Sequence, residues 1–86
     1  MNKLFIYDYI SKIKKEDIYR FGINQGIKLE EFEIEVLFSY IKNDYKRFFS
    51  NPLEVIDEIK YKVNNNTYEK IWNLYLQYKD MIMLLK

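Results

Sequence analysis

Eighty-six residues with a net charge of +1 suffice for one small core, and burial of only about 60–65% of the unfolded chain's surface leaves a thin stability margin. The charges are spread evenly, so no basic or acidic half argues for nucleic acid or a membrane surface. Cysteine and histidine are both absent, which excludes disulfides, a thiolate nucleophile, a zinc–sulfur site and the usual general base.

Strand-like alternation is missing over any useful length, whereas apolar residues recur at i, i+3 and i+4. That pattern predicts an all-α fold. The expected architecture is a compact bundle of four to five short helices, one domain over residues 1–86, with a helix–Gly corner–helix at its centre. No apolar run nears the ~18 residues of a membrane span. Met1 to Asp8 shows neither a long apolar stretch nor a small-residue cleavage site, so the expected location is the cytoplasm.

The spacing predicts a first helix over about residues 4–12, with Leu4, Ile6, Tyr9, Ile10 and Ile13 marking its apolar side. A second is expected over 15–24, with Ile18, Phe21 and Ile23 inward and Glu16 and Asp17 opposing the helix dipole in its first turn. Gly26 stands where a left-handed residue ends a helix, and Ile27 follows to fold back onto it. The third helix, over about 30–43, is apolar on more than one face and is expected to be central and the most enclosed.

Residues 44–50 read as a connection with Phe48 and Phe49 pinned into the core. Asn51-Pro52-Leu53-Glu54 then reads as a helix start, with Asn as N-cap, Pro at N1 and Glu completing a capping box. The fourth helix continues to about Lys62 through Val55, Ile56 and Ile59. Asn64 to Asn66 reads as a turn, with Asn66 and Glu69 repeating the capping arrangement, and a fifth helix runs from Thr67 towards the C-terminus. Its stripe is Tyr68, Ile71, Trp72, Tyr75, Tyr78 and Ile82.

Gly22, Gly26, Ile27 and Phe32 imitate a DNA-reading helix-turn-helix. Glu35, however, falls where that motif buries an apolar residue, and Lys28 to Glu35 hold four glutamates against one lysine. Phosphates repel such a helix, so the corner reads as architecture. Two basic groups, Lys12, Lys14, Lys15 and Arg20, then Lys42, Lys46 and Arg47 beside Tyr45, Phe48 and Phe49, are the alternative nucleic-acid contact. Their bland reading is solvated lysines around core aromatics.

No Gly-rich phosphate loop, paired nucleophile and base, or calcium-loop carboxylate set is present. Glu31 and Glu35 are a helical turn apart, the ordinary spacing of solvent-facing acids. The chain is therefore read as non-enzymatic, with no cofactor and no metal. Trp72, Leu76 and Met83 point away from the fifth helix's inward side, and Met81 to Leu85 is apolar all round. Trp72, Leu76, Met81, Met83 and Leu84 form the candidate protein interface, for another protein or for a second copy in a homodimer. A fuller wrapping of the helix by the bundle is the competing reading.

Several segments resemble the YqfT-like family of short uncharacterised bacterial proteins. They are Ile10-Ser11-Lys12-Ile13-Lys14-Lys15-Glu16-Asp17-Ile18, the corner Gly26-Ile27-Lys28-Leu29-Glu30-Glu31, the pair Phe48-Phe49, and Asn73-Leu74-Tyr75-Leu76-Gln77-Tyr78. Lys14 and Glu30 stand where that family has Thr caps, weakening both helix starts by ~1 kcal/mol each. The resemblance implies an all-helical fold and adds no activity, because that family has no established one.

Overall fold

A twenty-residue helix, Glu31–Ser50, lies at the middle of the molecule and touches every other helix. The computed structural model describes residues 3–84 as α1 (Lys3–Lys12), α2 (Lys15–Asn24), α3 (Glu31–Ser50), α4 (Pro52–Lys60) and α5 (Asn65–Leu84). No strand occurs among the described residues. The radius of gyration is 12.4 Å, close to the ~12 Å of a compact chain of this length. The fold is an all-α bundle.

The helix boundaries follow local chemistry. Lys14 and Glu30 precede α2 and α3 without a side chain able to cap them well. In each case the acid three positions on reaches back instead. The Asp17 carboxylate accepts the Lys14 N–H at 2.8 Å, and Glu33 accepts the Glu30 N–H at 3.0 Å. This is the reciprocal half of a capping box. At the end of α2, Gly26 takes φ +82°, its N–H donates to the Ile23 carbonyl at 3.0 Å, and the Ile27 N–H donates to the Gly22 carbonyl at 2.9 Å. That is the complete double bond of a Schellman ending, as the Gly26–Ile27 pair predicts.

Three expected boundaries are corrected. Residues 44–50 continue α3 and are not a connection. They hold neither Gly nor Pro, and they are held by contacts with other helices: the Tyr45 ring lies 5.3 Å from Tyr7 of α1, and Arg47 reaches Glu58 of α4. The helix stops one residue before Pro52, where the ring of the proline disfavours helical backbone at Asn51 (φ −147°, ψ 73°). Pro52 does open α4, but Asn51 forms no side-chain cap, and its N–H closes α3 on the Arg47 carbonyl at 2.8 Å, so Glu54 cannot take it to complete a capping box. Its side-chain amide donates to Glu54 at 3.1 Å instead. Finally, α4 ends at Lys60, short of Lys62, and α5 starts at Asn65, so the cap position falls at Asn64 and not at Asn66.

The faces are corrected too. Ile18 is buried, but Phe21 and Ile23 are exposed, and Gly22 takes the inward place beside Ile18. A Cβ on Gly22 would stand 2.9 Å from Leu29 Cδ1, so only glycine lets Leu29 lie against the helix. On α1, Tyr9 is exposed while Tyr7 packs inward; the side chain of Leu4 lies outside the described residues. α3 is central as expected, yet the most enclosed helix is α4, whose Val55, Ile56 and Ile59 join Ile18 and Leu29 as the buried apolar core. Each such side chain contributes about 1.5–3 kcal/mol. Phe48 and Phe49 are half-buried in an edge-to-face pair, ring centres 5.9 Å apart.

Candidate functional site

The five candidate interface residues divide between faces of α5. Trp72 is half-buried against α4, in a depression it shares with Leu53, Ile56 and Tyr68. Its ring centre lies 5.6 Å from that of Tyr75. Leu76 and Met83 continue the Trp72 line at helical spacing, 45% and 62% exposed. Met81 sits about 160° around the helix from Met83, and Leu84 lies between them, 82% exposed. From Leu76 onward only Ile82 is even half-buried among the described residues; Leu85 lies outside them. The physical reason is that among the described residues α5 packs on α3 and α4 only, and its twenty residues run past both.

A groove follows from the same packing. Among the described residues α2 touches only α3, and α5 never meets α2, so a gap of ≈ 350 Å³ opens between them. Ile18, Phe21 and Leu29 line one side, Ile71 and Leu74 the other, with Leu37 of α3 at the floor. Asp17 and Lys70 are the charged residues on its rim. A smaller gap of ≈ 280 Å³ separates α1 from α4 across α3, lined by Ile10, Tyr45, Phe48 and Val55 among others. The accessible surface of 6096 Å² exceeds the roughly 5,500 Å² expected for this mass.

No family model, curated protein or solved structure matches this chain.

The basic residues are largely committed to the fold. Lys12 pairs with Asp8 at 3.1 Å, Lys15 with Glu35 at 2.6 Å, and Arg20 with Glu16. Lys42 donates to the Ile10 and Ser11 carbonyls at 2.9 and 2.8 Å, satisfying the open end of α1. Lys15 and Lys42, from the two sequence-separated groups, meet over the Phe38 ring, each 5.5 Å from its centre. Lys46 lies over Tyr45, and Lys14 makes no ion pair among the described residues.

Arg47 is the most engaged of all. It donates to both Glu58 oxygens at 2.6 and 2.9 Å, with Asp44 and Glu54 at 3.5 and 3.6 Å. Tyr40 donates to Glu58 at 3.0 Å and accepts from Lys62 at 2.7 Å. The Arg47 hydrogen bonds pull the Glu58 carboxyl down from 4.5 to about 2. The bond to Glu58 in turn raises the Arg47 guanidinium, and the one to the Tyr40 hydroxyl raises the Lys62 ammonium. A fork pairing of this kind fixes α3 against α4.

One polar residue escapes sequence reading. Glu33 is only 1% exposed, with one carboxylate oxygen on the Glu30 N–H and the other on the Asn64 N–H, both at 3.0 Å. The spacing from Glu30 to Glu33 was its available signal. Each of its oxygens accepts a backbone N–H, and at 1% exposure the carboxylate acts as a fastening between two helix starts. No group of acids able to hold a metal occurs among the described residues.

Proposed function

We propose that this protein is non-enzymatic and acts by binding another protein, its own copy first, through the C-terminal half of α5. The observation that carries the reading is the set of exposed apolar side chains Leu76, Tyr78, Met81, Met83 and Leu84, which α3 and α4 leave uncovered among the described residues. Exposed aromatic, methionine and leucine side chains gathered on one projecting helix are what association covers. Gel filtration with light scattering tests this. A dimer forming with rising protein concentration supports it, and a clean monomer at high micromolar concentration counts against it.

The nucleic-acid alternative has less in its favour. Most of its candidate cations already serve carboxylates or helix carbonyls, so phosphates would have to displace them. The YqfT-like resemblance belongs to this proposal only as a shared helical order and adds no activity. A cytoplasmic setting is likewise proposed; no described helix is long and apolar enough to cross a membrane.

A further inference from the structure

We infer that two copies of this chain associate by exchange, Tyr78 and Met81 of each α5 entering the groove between α2 and α5 of the other copy. This rests on the self-association reading above and names its surface. Leu74 lines the groove, and Tyr78 and Met81 stand four and seven positions further along α5, on the same helix face. Thr67, Ile71, Leu74, Tyr78 and Met81 alternate at four and three residues, the seam of a helix that packs on another helix.

One α5 therefore carries a groove wall at its start and a matching unpartnered stripe at its end. A two-fold axis between antiparallel α5 helices brings each stripe to the other copy's groove, which satisfies both at once and closes the assembly at two. The mode is a helix laid into an apolar groove. Exposed Tyr9 and Phe21 at the rim and Tyr78 on the stripe offer together roughly 300 Å² of uncovered aromatic surface. With Met81 and Leu84 the total approaches roughly 500 Å², against the ~800 Å² per partner that a stable complex buries. The Trp72–Leu76–Met83 line cannot take this place as a unit, because Trp72 is already half-covered on the α4 side and faces away from the groove.

The absence of native cysteine makes a direct test clean. Phe21→Cys and Met81→Cys proteins, each with one thiol, are mixed at high micromolar concentration under mild oxidation. Disulfide-linked heterodimer in clear excess over the two homodimers is the expected result. In light scattering, Met81→Asp and Phe21→Glu are each expected to weaken dimerisation at least tenfold, with helicity unchanged, and Met83→Asp less than threefold. A dimer that Met83→Asp disrupts while the mixed disulfide fails to form overturns the exchange and leaves self-association standing. A wild-type monomer at every concentration overturns both.

Discussion

The Glu33 carboxylate accepts the Asn64 backbone N–H at 3.0 Å, joining the start of α3 to the start of α5 across thirty-one positions of chain. Its other oxygen holds the Glu30 N–H. Asn64 closes the same corner from its side chain, donating to Glu30. One buried acid thus orients two helix starts, and α5 is aimed outwards from that point.

Glu33→Ala leaves both N–H groups without their acceptor. Charge-assisted bonds of this kind contribute about 1.5–3 kcal/mol each, so a loss on the order of 3 kcal/mol is expected. In a domain this small that lowers the melting temperature by roughly 12–24 °C. Glu33→Gln keeps the shape and one acceptor oxygen and is expected to lose about half as much. Thermal and urea unfolding of both variants checks the pair; equal stability of Glu33→Ala and wild type would sink the assignment.

The two glycines fail for different reasons when replaced. Gly22→Ala gains about 1 kcal/mol of helix propensity but drives a methyl to 2.9 Å from Leu29 and 3.1 Å from the Ile27 carbonyl. Overpacking of about 1–3 kcal/mol outweighs the gain. Gly26→Ala meets nothing within 4 Å, so its cost of about 1–2 kcal/mol is that of the left-handed backbone alone. Asn tolerates that backbone better, so Gly26→Asn recovers part of the loss while Gly22→Asn recovers none. Denaturation midpoints of the four variants separate the mechanisms.

Glu58 predicts an acid-side pH dependence. Its carboxyl stands at about 2 in the fold against 4.5 when free. The Arg47–Glu58 contribution is therefore complete above pH ~4.5 and is lost as pH falls through about 2. Melting temperatures from pH 5 down to 2 should fall more steeply for wild type than for Glu58→Gln. Parallel curves would mean that the pair adds nothing to the acid response.

Lys42 holds the end of α1 through two carbonyls. Lys42→Ala is expected to loosen α1 by about 1 kcal/mol, a roughly fivefold faster amide exchange there, with α4 unaffected. Exchange measured by peptide mass spectrometry reads this directly. Uniform acceleration across the chain would instead indicate a global loss.

The helices themselves were determined locally. Three-to-four spacing, the left-handed requirement at Gly26 and the fixed backbone of Pro52 act within a few residues, so α2 is predicted to the residue and the starts of α3 and α4 nearly so. The all-round apolar end of α5 from Met81 was also legible, because a helix apolar on every side exceeds what one neighbour covers. Tertiary structure decided which faces are covered. Phe21 and Ile23 share α2 with Ile18, but among the described residues α2 has α3 as its single neighbour, which covers one strip; Gly22 falls on it because Leu29 must come close. Residues 44–50 became helix through Tyr7 and Glu58, both distant in sequence. Glu33 went inward for the same kind of reason: the Asn64 N–H that needs its oxygen lies thirty-one positions away, and no local pattern records it.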